Sequence, residues 1–222
     1  MDVVSDVISW LTDSAQWSGP DGIPVRTLQH LWYSLLATVI AAAIALPIGI
    51  FIGHTGRGAL VAVNLTNLGR AIPSLGIIIL MFTLVGFGIV PVLVALVALA
   101  IPPIVTNSYI GIRSVDRDVR EAAEAMGYTR ARQLLQVELP LALPVIMAGI
   151  RIATVTTIGL VTVTALIGQG GLGRLFIDGF TLNFTTPIVV GIVLSALLAF
   201  AADLALVGLQ HRLTPWARSR GR

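Results

Sequence analysis

The chain has 222 residues, 56% of them hydrophobic and 11% charged, with a formal net charge of +3 and no cysteine. A soluble domain carries about 25% charged residues and needs them to cover its core, so the composition and a mean hydropathy of +0.92 exclude a water-soluble globule and intrinsic disorder. Continuous rather than alternating apolar runs exclude an outer-membrane barrel, and the missing cysteines exclude disulfides, thiolate metal sites and a cysteine nucleophile, leaving an all-α, polytopic membrane helical bundle.

Residues 1–28 read as an outer amphipathic segment. Val3, Val4, Val7, Ile8 and Leu11 recur at helical spacing opposite Asp2, Ser5, Asp6 and Asp13. This describes either a short amphipathic helix lying on the outer leaflet, with Trp10 and Trp17 at headgroup level, or a frayed tail. Asp2 and Asp6 stand where a signal peptide would be basic. Charge-free stretches then mark the spans. No Asp, Glu, Lys or Arg lies between Arg26 and Arg57, Arg70 and Arg113, Arg151 and Arg174, or Asp178 and Asp203. A helix needs about 20 apolar residues to cross the hydrocarbon core. Residues 71–112 are too many for one crossing, and Gly86, Gly88 and Pro91 mark a turn inside them. Five spans are expected, at 29–53, 59–86, 90–111, 141–166 and 186–209. Arg70 and Pro73 interrupt the second. Residues 59–69 therefore read either as its first part or as a separate short helix, with the crossing starting near Pro73. Pro47, Pro102 and Pro103 bend their spans or terminate helices.

All 14 basic residues are arginine. With five spans and a cytoplasmic loop at 112–140, the inner side holds Arg57, Arg113, Arg117, Arg120, Arg130, Arg132, Arg212, Arg218, Arg220 and Arg222. The outer side holds only Arg26 and Arg174. Ten against two is a positive-inside bias that puts the N-terminus outside and the C-terminus in the cytoplasm. The basic balance is thereby explained by membrane topology, with no nucleic-acid partner. Residues 1–222 read as one transmembrane domain, because the loop is too short to fold alone. No internal repeat stands out, which argues against an inverted-repeat secondary transporter.

The loop at 112–140 is far longer than an ordinary connection and contains two short helices. Asp116 or Asp118 caps the first, Gly127 suits the left-handed position that ends it, and Thr129 caps the second. Pro140 and Pro144 stand near the start of the next span, where a missing N–H costs little. Ala122, Ala123, Ala125 and Gly127 are small enough for close approach to a partner surface. Arg117, Arg120, Glu121 and Glu124 flank them and supply ion pairs that set register.

Glu121-Ala122-Ala123, then Gly127, then Val137-Glu-Leu139-Pro140 resembles the EAA motif of ABC importer permeases, with Val137 where the family pattern has Ile. Asn107–Arg113, Ala148–Ala153 and Ile167–Gly173 look like the glycine betaine/carnitine/choline (osmoprotectant) branch. The Gly-Gly-Leu-Gly part also resembles methionine-type importers. The resemblance implies a type I importer permease fold, MetI-like, in the inner membrane of a prokaryote. It implies two permease chains (a homodimer or a pair with a related paralogue), two copies of an ABC ATPase subunit, an extracytoplasmic substrate-binding protein and surrounding membrane lipid. The helix around Glu121–Gly127 is then the coupling helix that docks on the ATPase. Glycine betaine, choline, carnitine or proline betaine is the expected solute; another small solute such as an amino acid is the alternative. ATP hydrolysis is expected on the partner subunit, since this chain has no Gly-x-x-x-x-Gly-Lys loop. No cofactor and no metal site are expected.

Three further expectations concern single groups. Gly168, Gly170, Gly171 and Gly173 form either an outer gate hinge or a plain loop. Arg151 and Asp203 both fall roughly 9–14 Å from the inner end of their spans, at ~1.5 Å per residue, and are expected to pair. No aromatic cluster suited to a quaternary ammonium ion stands out. His30, His54 and His211 fall near span ends without a Ser/His or metal constellation, which argues against an intramembrane hydrolase.

Overall fold

The computed structural model describes residues 3–60, 64 and 73–216, and every element among them is helical. The order is α1 (Val3–Thr12), a 3-10 turn (Ser14–Trp17), α2 (Ile23–Thr55), α3 (Ser74–Val85), α4 (Ile89–Arg113), α5 (Arg117–Ala125) and α6 (Arg130–Gln133). A π-helical segment (Leu134–Glu138), α7 (Leu139–Thr164), a 3-10 turn (Ala165–Ile167), α8 (Gly173–Thr181) and α9 (Thr185–Leu213) complete it.

Among the described residues, four helical runs are long and apolar enough to cross a membrane: Ile23–Thr55, Ile89–Arg113, Arg130–Ile167 and Thr185–Leu213. The first begins at Ile23 rather than at 29, because Pro24 fits a first helical turn, where no N–H is needed. The expected second span lies partly outside the described residues, Arg70 included. Its described part, α3, starts directly after Pro73 and covers 12 residues. At ~1.5 Å per residue that is short of the ~30 Å hydrocarbon core. Pro47, Pro102 and Pro103 lie inside α2 and α4 and terminate neither.

The chain divides into two compact units. The first comprises 1–38, 73–97 and 154–202. Its core is Ala37, Ile78, Val92, Ala95, Leu96, Val161 and Ile167. The α1 helix presents Val7, Trp10 and Leu11 to a second cluster of Leu172, Leu175 and Val190, so Trp10 packs on protein. Val3, Val4 and Ile8 remain exposed. The buried Arg26 donates to Asp178 at 2.9 Å, and Asp178 also accepts from Arg174 at 3.2 Å, tying the start of α2 to α8.

The second unit comprises 39–72, 98–153 and 203–222. In lipid there is no hydrophobic drive between helices, so small residues that permit close approach take its place. Gly49 and Gly53 of α2 face α4: a Cβ on Gly49 would lie 2.6 Å from Ser108 Cβ, and one on Gly53 would lie 2.7 Å from Ile112 Cβ. Gly111 of α4 meets Ala142 and Val145, and Gly149 of α7 makes room for Asn107. The segments 107–113 and 148–153 thus interlock with each other and with α2. Around them pack Ile112, Ala142 and Ile146 with Leu46, Ile50, Leu134, Leu139 and Ile150. A Gly49→Ala change is expected to lower stability by about 1–3 kcal/mol through overpacking, read as a lower Tm in detergent. Ala at Gly159, where a Cβ meets nothing within 4 Å, is the neutral control.

Candidate functional site

The 113–140 segment is built from local signals. Asp116 is the N-cap of α5, its carboxylate accepting from Asp118 N at 2.9 Å. Gly127 ends the helix at φ +80°, with Gly127 N donating to Glu124 O and Tyr128 N to Ala123 O. That is a Schellman closure. No atom crowds Gly127, so its requirement is the backbone angle and not space. Thr129 caps α6, accepting from Arg132 N, and the Arg132 guanidinium lies 4.2 Å over the Tyr128 ring.

The expected small-residue face of α5 is split. Ala123 is buried. Ala122 and Ala125 are exposed, and the residues exposed beside them are Val119 and Met126. Met126 is 68% exposed, an apolar knob that composition alone does not single out. Glu121 accepts from Arg117 at 2.6 Å on the solvent side. That hydrogen bond, and then the Glu121 charge, hold the Arg117 pKa above its ordinary value. Such an exposed pair adds little to stability.

Beneath α5 lies a carboxylate that the sequence reading passed over. Glu138 is 1% exposed. Its Oε2 lies 2.7 Å from His54 Nδ1 at the end of α2, and its Oε1 accepts from Gln133 Nε2 at 3.3 Å. Arg120 Nε stands 3.6 Å from the same oxygen, and the Arg120 fork donates to Ile112 O at the end of α4. One buried charge therefore joins α2, α4, α5 and α6. Glu138 closes the π segment, in which Leu139 N donates to Leu134 O. Pro140 is the physical reason: it has no N–H to give, and its ring would strike the carbonyl of Gln136 in an α-helix. Widening the turn relieves the clash and carries α6 into α7 without a break. Val137, Leu139 and Pro140 are half-buried here, Leu139 against the Ile112 cluster.

Arg151 and Asp203 form a bidentate pair, Nε to Oδ1 and Nη2 to Oδ2, both at 2.8 Å. In the first unit, the glycine segment is clamped to α2. Gly168 and Gly171 have φ +79° and +90°. Gln29 Oε1 accepts from Gly171 N at 3.1 Å, and His30 Nδ1 accepts from Leu172 N at 3.3 Å. His30 is fully buried, and its Nε2 lies 2.8 Å from Ile158 O. Two such partners require the neutral ring with its proton on Nε2. A Cβ on Gly173 would strike Thr162, and one on Gly170 would strike Gln29. His30 and His54 thus anchor networks, although the sequence places them only near span ends.

Four apolar helical runs long enough to cross a membrane, with a helical hairpin held to them through Glu138, define a membrane-embedded subunit. Residues 45–215 match the family described as the binding-protein-dependent transport system inner membrane component. The chain belongs to that family, and is a permease subunit of an ABC importer and a multi-pass inner-membrane protein. It is 37% identical over 195 residues, 88% of this chain and 90% of the relative, to the choline transport system permease protein OpuBB of Bacillus subtilis (strain 168). It is 36% identical over 190 residues, 86% of this chain and 88% of the relative, to the glycine betaine/carnitine/choline transport system permease protein OpuCB of the same organism. Its fold matches the MetNI methionine ABC transporter in inward-facing conformations, with a TM-score of 0.75 over 86% of this chain and 96% of that one, at 22% identity.

Two outcomes follow for the paired charges. Glu138→Ala strands Arg120 and His54 and is expected to cost about 3–5 kcal/mol, seen as a large loss of folded protein in detergent, whereas Glu124→Ala on the surface costs little. Arg151→Ala or Asp203→Ala leaves a lone intramembrane charge, at about 2.5–3.5 kcal/mol. The swap Arg151→Asp/Asp203→Arg is expected to recover most of the lost Tm.

Proposed function

We propose that this chain forms the translocation pathway for a compatible solute: glycine betaine, choline, carnitine or proline betaine. The carrying observation is the identity to the OpuBB and OpuCB permeases over most of both chains. The proposed form has five spans in a single transmembrane domain, with the N-terminus outside and the C-terminus in the cytoplasm. The ten-to-two arginine bias supports it. Two ATPase subunits and a second permease chain, identical or related, complete the transporter, and a binding protein delivers the solute from outside.

In this reading α5 docks in a groove of the ATPase through Ala122, Ala125, Val119 and Met126, with Glu121, Glu124 and Arg117 on its flanks and Arg120 turned inward onto the Glu138 network. Closure of the ATPases on ATP moves α5. The Gly127 turn, the Val137–Pro140 junction and the Glu138 network pass that motion to α2 and α7 as one body. Gly168, Gly170, Gly171 and Gly173, held by Gln29 and His30, form the outer gate segment. Arg151 and Asp203 hold α7 to α9 during the tilt. The chemistry of hydrolysis belongs to the ATPase subunits.

The test is a co-purification from the native host, followed by ATPase assays with solute-loaded binding protein. An ATPase subunit is expected to co-purify and to be stimulated several-fold by the betaine-loaded form. Ala122→Trp, an overpacking change on the exposed face of α5, is expected to abolish co-purification while the chain still folds. Stimulation by an amino acid in place of every betaine would move the substrate assignment. A missing ATPase after crosslinking would overturn the coupling role of 115–140.

A further inference from the structure

The second unit carries a cavity of about 410 Å³ at the end of α2, against α5 and α6. Its charged wall is Arg57, Arg120, Arg130, Glu124 and Glu138, beside His54. Glu138 is already met by Arg120 and His54. Arg57 and Arg130 make no ion pair among the described residues, and Arg120 Nε is buried without a hydrogen-bond partner. Three arginines against two glutamates leave one positive charge. The cavity is thus set to receive a single anionic group.

The helix leading to it shows what is attached to that group. Ile44, Ile48 and Phe51 lie on one face of α2 and are all exposed, Phe51 by 59%. Thr55, one turn beyond Phe51 on the same face, lines the cavity. An apolar stripe thus runs along a membrane helix and ends at an arginine-rich pocket. A soluble ion or an acidic protein segment has no use for that stripe, whereas an acyl chain does. We infer that this cavity binds the phosphodiester headgroup of a singly charged anionic phospholipid, with Arg57 and Arg130 on the phosphate and a tail along Ile44, Ile48 and Phe51. Basic pockets at helix ends recognise lipid headgroups in this way. With the orientation proposed above, this lipid lies in the cytoplasmic leaflet. Since Arg120 and Arg130 stand on α5 and α6, the bound lipid also braces the hairpin.

The test needs neither substrate nor ATPase. The purified chain is delipidated in mild detergent, phosphatidylglycerol or phosphatidylcholine with identical tails is titrated back, and bound lipid is counted by native mass spectrometry. Phosphatidylglycerol is expected to bind more tightly. Arg57→Gln/Arg130→Gln, both exposed and without an ion pair among the described residues, is expected to weaken it about twenty-five-fold, from about a factor of five per arginine. Glu124→Gln, which leaves two positive charges, is expected to tighten it, and Arg212→Gln to leave it unchanged. Equal binding of phosphatidylcholine, or full retention by the double variant, overturns the proposal. Displacement by equimolar inorganic phosphate assigns the pocket to a soluble ion instead. The co-purification described above is then repeated with the double variant: loss of the ATPase subunit with lipid retention intact assigns the arginines to protein docking.

Discussion

A carboxylate sealed from water is tolerated only where its charge is met on several sides, and Glu138 is such a group. The desolvation of a buried ion costs several kcal/mol, and removing one partner leaves that cost uncompensated. His54, Gln133 and Arg120 therefore cannot drift away singly. Arg120 extends the restraint to the last turn of α4 through Ile112 O. The hairpin between α4 and α7 is consequently an outgrowth of the membrane helices, held at its base, and not a tether. A tether would absorb a partner's displacement in its own torsions. A hairpin fixed in this way has no such slack.

The same unit owes its stiffness to the absence of side chains. Gly49 and Gly53 bring α2 against Ser108 and Ile112, and Gly149 brings α7 against Asn107. Close contact recovers dispersion that lipid tails would otherwise supply, and small residues lose little rotamer freedom in doing so. The segments flanking the hairpin thus have a packing reason for their composition. Their residues spend their surfaces on neighbouring helices, while the exposed faces of α5 are left to Val119, Ala122 and Met126.

Legibility in the sequence followed the range of each interaction. Charge-free stretches revealed the long helices because ions are excluded from hydrocarbon whatever the fold. The caps at Asp116, Gly127 and Thr129 were legible because a cap acts within four residues. Arg151 and Asp203 could be matched because intramembrane charges are few and each needs a partner. The Glu138–His54 contact joins residues 84 positions apart, and His30 reaches Ile158 across 128; nothing local announces either. The α8 helix was hidden because the glycines before it read as hinge or loop, Arg174 read only as an outer charge, and Asp178, which holds it, only marked the end of a charge-free stretch. Which alanine of α5 turns inward depends on the side from which the helix docks, and its own spacing does not carry that.

The π segment at Leu134–Glu138 sets the phase of the hairpin. A π turn is an α-helix with one residue inserted, and each residue of an α-helix advances the chain by about 100°. Shortening this stretch by one residue would close the turn onto the Pro140 ring and swing α6 by that angle about the axis of α7, carrying Gln133 away from Glu138. Lengthening it by one would swing α6 the other way. The stretch therefore behaves as a vernier between the membrane helices and the hairpin. The fold tolerates exchanged side chains on the exposed faces of α5, but a change of one in the count of residues between Thr129 and Pro140 turns those faces to a different side.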